Sequence, residues 1–259
     1  MSLLARILES KRTELPALRR RALPPPPPAR PVRLRRTPGT GLRLIAEFKR
    51  RSPSAGVLSS ALDVAQRAQA YERAGAAMMS VLCDGPFFGG AYEDLARARE
   101  ACALPLLCKE FVIDEAQLDA ARAHGADAVL LIARCLSPER LEQLCAAARE
   151  RQLAALVEVH GSAEAQRAAE LGAALVGVNA RNLDTLEMDL EEAVRALALL
   201  PPAATRLHLS GLKQPTDVRR VLASGADGAL IGEVLMRRDD PEPLLRELVT
   251  AAGAAAAGP

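Results

Sequence analysis

Eight short apolar runs, separated by amphipathic helical segments, are the feature that most restricts how this chain can fold. The runs begin at Leu42, Ala76, Leu104, Ala126, Leu153, Ala174, Arg206 and Gly228. Each has the length of a buried strand, and such continuous hydrophobicity is typical of parallel strands that are covered on both faces. Four of the helical segments end at a glycine that is followed by alanine and the next run: Gly75, Gly125, Gly172 and Gly225. Glycine can adopt the left-handed conformation that closes a helix.

The repeated helix, Gly-Ala and strand unit predicts a (β/α)8 TIM barrel, an α/β fold. A doubly wound open sheet is the main alternative, but it more often has fewer strands and a G-x-G-x-x-G turn, which this sequence lacks. A length of 259 residues fits one large barrel or two smaller domains. We therefore expect an N-terminal helix and Pro/Arg-rich linker over residues 1–41 and a barrel over residues 42–259.

The N-terminal segment is strongly basic. Residues 1–50 contain 13 Lys and Arg but only three Asp and Glu, and a basic arm of this kind can bind nucleic acid. The run Pro24–Pro28 instead favours a stiff, solvated linker. The acidic remainder of the chain offers no second basic face, so we expect no nucleic-acid partner. The preceding helix has one apolar stripe that can dock on a domain, and we expect its Lys11 to be exposed.

Composition excludes other classes. With 49% hydrophobic and 25% charged residues the chain can bury a core. The sequence contains no charge-free apolar run of roughly 18 residues and no signal-peptide pattern, so we expect no membrane partner. Its five cysteines lack C-x-x-C spacing and indicate reduced thiols in a cytoplasmic protein. The three histidines lack paired ligand spacing, so no metal site is predicted. We also expect a monomer.

Polar side chains cluster where the predicted strands end, the edge at which barrel enzymes carry their active sites. They are Glu47 and Lys49, Lys109 and Phe111, Glu158, Asn179 and Arg181, and Ser210. Only four of the chain's 34 cationic residues are lysine, and two of those four lie in this set. Charges within apolar strands are costly unless they are paired or solvated. A buried ion-pair network, for example Lys49–Glu47 or Lys109–Glu158, is one explanation; convergence of so many groups favours a functional site.

Glycines after the last two strands predict an anion site. Gly211 and Gly232 allow the backbone to approach a phosphate closely, although both are also ordinary turn residues. We therefore expect a phosphorylated small-molecule substrate. Phe88 and Phe111 lie in strand-end segments, where they can line a flat apolar group or simply belong to the core.

Six stretches of the sequence, spread over the predicted barrel, resemble the indole-3-glycerol phosphate synthase family. The resemblance rests on IAEFKRRSPSAG from Ile45, SVLCDGPFFGGAYEDL from Ser80, PLLCKEFVID from Pro105, LVEVH from Leu156, VGVNARNLDTLEMD from Val176 and IGEVLMR from Ile231. It covers roughly residues 42–250 and involves all eight predicted strands in order. The segment LLARILESKRTEL from Leu3 is also similar to the opening helix of the family.

The resemblance implies an enzyme of tryptophan biosynthesis. The family converts 1-(2-carboxyphenylamino)-1-deoxyribulose 5-phosphate to indole-3-glycerol phosphate, releasing CO₂ and water without a cofactor. By this resemblance Lys109 is the general acid and Glu158 the base of the later dehydration. Glu47, Lys49 and Asn179 orient the substrate and stabilise charge, and Arg181 pairs with the substrate carboxylate. The anthranilate ring is assigned to Pro53, Phe88, Phe111 and Leu183, and the phosphate to Ser210, Gly211 and Gly232.

Two departures from the family leave alternatives open. The family usually has Glu-Ser-Gly at the end of the seventh strand, whereas this chain has Leu209-Ser210-Gly211. The stretch between the opening helix and the first strand, which helps to cover the substrate in the family, is replaced here by the Pro/Arg-rich linker. The chain could therefore be a paralogue with an altered substrate or impaired catalysis. A phosphosugar-binding partner without catalysis is the alternative from a different functional class.

Overall fold

The fold is described from a computed structural model that covers residues 2–37, 39–53, 56–182 and 184–254. Its barrel strands are β1 (Arg43–Phe48), β2 (Met78–Leu82), β3 (Leu106–Lys109), β4 (Ala128–Ile132), β5 (Ala154–Val159), β6 (Leu175–Asn179), β7 (Thr205–Leu209) and β8 (Gly228–Ile231). All are parallel, and the sheet closes in the order β1-β8-β7-β6-β5-β4-β3-β2. A short antiparallel pair, Arg51–Ser52 with Gly56–Val57, extends beyond β1.

Helices surround this sheet. Helix α1 (Leu3–Arg20) precedes the barrel, and the others are α2 (Val64–Arg73), α3 (Tyr92–Ala101), α4 (Glu115–Ala123), α5 (Pro138–Glu150), α6 (Ser162–Glu170), α7 (Leu190–Leu199), α8 (Pro215–Ala223), α9 (Glu233–Met236) and α10 (Glu242–Ala254). A single 3-10 turn, Ala133–Cys135, follows β4. The predicted (β/α)8 barrel with an N-terminal helix is confirmed.

The Gly-Ala junctions end helices and lead into strands, as the sequence predicts. Gly75, Gly125, Gly172 and Gly225 have φ angles of 87°, 94°, 71° and 81°. Each follows a helix, and alanine then leads into the next strand. A residue with a Cβ is strained in that conformation, so the repeated glycine closes each helix and turns the chain back to the sheet.

Side chains alternate between two apolar layers. One set points into the barrel and includes Ile45, Leu107, Leu156 and Leu230. The other fills the space between the sheet and the helices, as Ala46 does on β1. Both layers are needed because strands covered on both faces have no solvent-exposed side.

The N-terminal segment contacts the barrel at both ends, although most of its linker, including Pro24–Pro26 and Pro28, is exposed, as expected of a solvated linker. Helix α1 lies at the mouth, where its Leu4 and Ile7 are buried. The linker then reaches the base of the barrel, where Leu34 is 3% exposed and packs with the interior side chains. The boundary between residues 41 and 42 stays a prediction.

Two aspartates hold the linker against the base of the barrel. Asp127 precedes β4; its carboxylate accepts hydrogen bonds from the backbone amides of Arg30 at 2.6 Å and Leu106 at 2.9 Å. Asp227, which precedes β8, accepts from the amides of Arg36 at 3.1 Å and Arg206 at 2.8 Å. Each aspartate thus ties the linker to the start of a neighbouring strand.

Several arginines of the basic segment contact the barrel. Arg19 pairs with Asp114 at 2.6 Å, Arg21 pairs with Glu93, and Arg35 donates to the carbonyl oxygen of Pro202 at 2.8 Å. These contacts use part of the positive charge of the segment. Within the described ranges, no helix combines the length and the apolar character needed to cross a membrane.

We predict that Asp127→Ala lowers the free energy of unfolding by about 2–4 kcal/mol, because buried amides and the guanidinium of Arg99, 2.9 Å from the carboxylate, lose their acceptor. Urea denaturation followed by circular dichroism measures this change. Glu191→Ala is the control, since its side chain is 90% exposed, and it should change the unfolding free energy by no more than about 0.5 kcal/mol. Equal effects of the two substitutions would refute the role of Asp127.

Candidate active site

A cavity of about 460 Å³ opens at the carboxyl ends of the strands. This volume lies in the range of small-molecule sites, and the location is the one that barrel enzymes use. Its lining includes Glu47 and Lys49, Pro53, Phe88, Lys109 and Phe111, Glu158, Asn179 and Arg181, and Ser210, Gly211 and Gly232. Every predicted site residue except Leu183 therefore faces one space. Leu183 lies outside the described residues.

Glu47 is the centre of charge in this cavity. Its Oε1 accepts a hydrogen bond from Nζ of Lys49 at 2.6 Å, and its Oε2 accepts one from Nζ of Lys109 at 3.0 Å. The expected Lys49–Glu47 pair is confirmed, but the direct partner of Lys109 is Glu47 and not Glu158. Burial opposes ionisation of Glu47, yet Lys109 and Lys49 outweigh it and lower its pKa to about 2. The carboxylate is therefore ionised throughout the physiological range.

Lys109 keeps its proton for the same reason. Burial by itself lowers the pKa of Lys109, but the carboxylates of Glu47 and Glu158 outweigh burial and raise the pKa above its ordinary value. A buried ammonium facing a cavity is a proton donor that water does not surround. Because Lys109 keeps its proton at neutral pH, it is available as a proton donor.

A hydrogen-bonded chain on β5, β6 and β7 holds Glu158. The amide nitrogen of Asn179 donates to Oε1 of Glu158 at 2.9 Å, and its oxygen accepts from Oγ of Ser210 at 2.9 Å. Oε2 of Glu158 is buried without a hydrogen-bond partner among the described residues. Burial raises the pKa of Glu158, with Lys109 and Asn179 opposing it. The result is a carboxylate in the cavity lining that is more basic than an exposed one.

Arg181 lies on the same side of the mouth. Its backbone amide donates to the side-chain oxygen of Asn179 at 3.0 Å, and its guanidinium donates to the carbonyl oxygen of Leu186 at 3.1 Å. The guanidinium retains further N–H groups that can bind a carboxylate.

Two phenylalanines form an apolar wall of the cavity. The ring centroids of Phe88 and Phe111 are 6.0 Å apart, with an angle of 32° between the ring planes. Leu3, Leu4 and Ile7 of α1 also line the space. Flat apolar groups bind well in such surroundings.

Gly211 and Gly232 follow β7 and β8, across the mouth from the phenylalanines, and glycine is favoured at each for a different structural reason. Gly211 has a φ of 88°, and Ser210 before it has a φ of 76°, an uncommon conformation for a residue with a side chain. Gly232 leaves room for the Glu47 carboxylate, because a Cβ at position 232 would collide with Oε1. This steric need was not apparent from the sequence, where Gly232 suggests only an anion site.

Leu209 is fully buried inside the barrel and belongs to the interior apolar layer. A Cβ at Gly177 would lie 2.6 Å from Cδ1 of Leu209, so the missing side chain at Gly177 makes room for it. The position at which the family carries glutamate is therefore part of the core in this chain.

Other lining residues were missed by sequence reasoning. They include Leu3, Leu4 and Ile7 of α1, Glu110 directly after β3, and the cations Lys213 and Arg237 beyond β7 and β8. The apolar stripe of α1 indicated that the helix docks, but not where. Lys213 and Arg237 follow the predicted strands by several residues, and only the loop conformations bring them to the cavity. Among the described residues, no cluster of three or more His, Cys, Asp or Glu is placed to hold a metal ion.

Comparisons with a family profile and with individual known proteins identify the same family. The profile of the indole-3-glycerol phosphate synthase family matches residues 5–248. A protein of that name from Exiguobacterium sp. is 40% identical over 250 residues, covering 96% of this chain and 97% of its own length. Another from Parafrankia sp. is 43% identical over 244 residues, covering 94% of this chain and 90% of its own length.

Two solved structures share the fold at low sequence identity. Thiamine phosphate pyrophosphorylase from Pyrococcus furiosus aligns with a TM-score of 0.61 and 17% identity over 85% of this chain and 98% of its own. A 3-hexulose-6-phosphate synthase aligns with a TM-score of 0.63 and 18% identity over 81% of this chain and 99% of its own. At such identities the likeness concerns the barrel alone.

We predict that Glu47→Gln lowers the pKa of Lys109, because an amide can accept the hydrogen bond but removes the negative charge that stabilises the ammonium. Lysine side-chain NMR across a pH series measures the change, and a chain with only four lysines gives a simple spectrum. The exposed Lys213 serves as the internal reference. An unchanged titration of Lys109 would contradict the electrostatic coupling to Glu47.

Proposed function

Because the chain belongs to the indole-3-glycerol phosphate synthase family, we propose that the cavity at the barrel mouth carries out the family's reaction. The protein is a carbon–carbon lyase of tryptophan biosynthesis that acts on a phosphorylated small molecule. Its reaction converts 1-(2-carboxyphenylamino)-1-deoxyribulose 5-phosphate to indole-3-glycerol phosphate, with loss of CO₂ and water. The observation that carries the proposal is that the protonated Lys109 and the Glu158 carboxylate, whose pKa is raised by burial, line the same cavity.

The cavity provides a different environment for each part of the substrate. We assign the aromatic ring to Pro53, Phe88 and Phe111, where apolar surface is available. The phosphate is assigned to the opposite side, at Ser210, Gly211 and Gly232, close to the additional cations Lys213 and Arg237. Leu183 remains a predicted ring contact. Arg181 is proposed to pair with the substrate carboxylate, which stabilises the ring orientation until CO₂ leaves.

Ring closure needs a proton at the ketose carbonyl oxygen. As the ring carbon attacks the carbonyl carbon, we propose that Nζ of Lys109 gives its proton to that oxygen, which becomes a hydroxyl. Glu47 holds the ammonium at 3.0 Å and Lys49 balances the charge of Glu47. The attacking ring carbon then loses its carboxylate: the bond between them breaks, CO₂ leaves, and the bonding electrons return to the ring.

Dehydration needs a base on the same side of the substrate. We propose that the carboxylate of Glu158 takes a proton from the methylene carbon beside the ring nitrogen. The C–O bond of the new hydroxyl breaks, the hydroxyl leaves as water with a proton from solvent, and the double bond that forms completes the indole. Solvent also returns the proton that Lys109 gave. Asn179 keeps Glu158 in place by donating to its Oε1. The raised pKa of Glu158 makes it a better base than an exposed carboxylate.

We predict that Lys109→Ala reduces kcat/KM by about 10²–10⁴-fold, the usual contribution of a general acid. Purified protein is incubated with the carboxyphenylamino-deoxyribulose phosphate, and the appearance of indole fluorescence is followed. Arg219→Ala is the control, because Arg219 is exposed on α8, away from the cavity lining. Turnover by Lys109→Ala at the control rate would remove Lys109 from the role of acid. No product from wild-type protein would refute the proposed reaction.

The impaired-paralogue alternative is motivated by Leu209. We predict that wild-type protein turns over without a carboxylate at position 209, because Glu47, Lys49, Lys109, Glu158 and Asn179 converge without any contact that requires one. The same assay applied to Leu209→Glu tests this directly.

A gain in kcat/KM of about tenfold or more in Leu209→Glu, roughly 1.4 kcal/mol of transition-state stabilisation, would instead identify an impaired paralogue. Leu209→Gln is the matched control, because it has a similar shape and polarity but carries no charge. A gain that appears only with the glutamate would be specific for the carboxylate. A monomeric state, a cytoplasmic location and a reaction without cofactor stay predictions.

A further inference from the structure

Lys11 is buried beside the active site, so the expectation of an exposed side chain is wrong. It is 2% exposed and forms ion pairs with Asp84 at 2.8 Å and Glu110 at 3.2 Å, as well as with Glu14 on its own helix at 2.9 Å. Asp84 is fully buried and Glu110 is 3% exposed. The ammonium thus joins α1 to the loops that follow β2 and β3.

Both of these carboxylates also hold the backbone of a phenylalanine in the apolar wall. Oδ1 of Asp84 accepts hydrogen bonds from the backbone amides of Phe87 at 2.7 Å and Phe88 at 3.1 Å. Oε1 of Glu110 accepts one from the amide of Phe111 at 2.7 Å. Each carboxylate therefore uses one oxygen for the loop backbone and the other for Lys11.

We propose that Lys11 is a positioning residue for the ring subsite, which holds Phe88 and Phe111 at the spacing that an anthranilate ring requires. The inference rests on the proposed function, because it takes the ring of that substrate as the ligand. Lys11 itself is absent from the lining of the cavity, and it acts through Asp84 and Glu110.

The charges of the cluster explain why a cation is needed. Two carboxylates within one buried site repel each other: burial and Asp84 raise the pKa of Glu110 to about 7, and the ammonium of Lys11 opposes that rise. Burial lowers the pKa of Lys11, but Glu110 and Asp84 outweigh burial and raise it, so the ammonium keeps its charge. An apolar side chain at position 11 would leave Asp84 and Glu110 without their buried cation. The loops after β2 and β3 would then lose the side chain that both of them contact.

The helix that carries Lys11 also lines the cavity. Leu4 and Ile7 lie two turns and one turn before Lys11 and contact the same space as Phe88 and Phe111. Through Lys11, the position of α1 on the barrel and the distance between the two phenylalanines therefore depend on each other. Loss of the ammonium should weaken contacts with the ring and leave the phosphate side, on β7 and β8, unaffected.

The experiment compares the two ends of the substrate separately. Anthranilate, whose fluorescence reports binding, probes the ring side, and inorganic phosphate, measured by calorimetry, probes the phosphate side. For Lys11→Met we expect the Kd of anthranilate to rise tenfold or more and the Kd of phosphate to stay within twofold of wild type. Arg12→Met is the matched control, because it removes a cation from the exposed face of the same helix, where the side chain is 62% exposed.

Two further variants keep the test valid if Lys11→Met fails to fold. Asp84→Asn and Glu110→Gln each retain an oxygen that can accept the phenylalanine amides but lose the ion pair with Lys11. We expect each to raise the Kd of anthranilate threefold or more, again with phosphate binding within twofold of wild type. Asp84 is absent from the cavity lining whereas Glu110 belongs to it, so a loss in Asp84→Asn is the one that reports the ammonium contact without a change in the lining.

Each outcome has a defined meaning. Selective loss of anthranilate binding supports the inference. Unchanged anthranilate binding in the variants, equal loss of anthranilate and phosphate binding, or a wild-type protein that binds phosphate but not anthranilate overturns it. Turnover by wild-type protein is measured separately, so failure of the proposed reaction is distinguishable from failure of the positioning role.

Discussion

Hydrogen bonding between β1 and β8 closes the sheet, and the site at the mouth depends on that closure. Arg43 pairs with Gly228 and Ile45 with Leu230, while β1 also pairs with β2 on its other side. Gly228 permits the approach, because a Cβ there would lie 2.5 Å from the carbonyl oxygen of Arg43. Once the sheet is closed, residues more than a hundred positions apart in sequence end at one ring, as Glu47 and Glu158 do.

Closure alone would bring together charges that the interior cannot accommodate. The arrangement is stable because each charge has a partner: Glu47 lies between two ammonium groups, and Glu158 receives a hydrogen bond from Asn179. These contacts also set the acid–base properties. The same pairing that offsets the cost of burial leaves Lys109 protonated and Glu158 more basic. Stability and chemical competence therefore have one origin in this site.

The N-terminal segment completes the barrel at both ends. At the mouth α1 adds apolar lining, and its Lys11 reaches two carboxylates beneath the phenylalanine wall. At the base the linker places Leu34 under the interior layer and is held by Asp127 and Asp227. Polyproline conformation suits this path, since a stiff extended segment can follow a surface without internal hydrogen bonds. Part of the basic charge of the segment contacts the barrel, through Arg19, Arg21 and Arg35.

The barrel and most of the site could be predicted from the amino-acid sequence, because both follow local rules. Apolar runs with Gly-Ala junctions specify the strands and turns, and side chains such as Lys109 and Glu158 are recognisable as charges at the ends of buried strands. Which of these charges meet became clear only from the three-dimensional arrangement. It pairs Lys109 with Glu47, buries Lys11 between Asp84 and Glu110, and makes Gly232 a requirement of the Glu47 carboxylate. The physical reason is that ion pairs and steric contacts depend on distances between elements remote in sequence, and no local pattern records those distances.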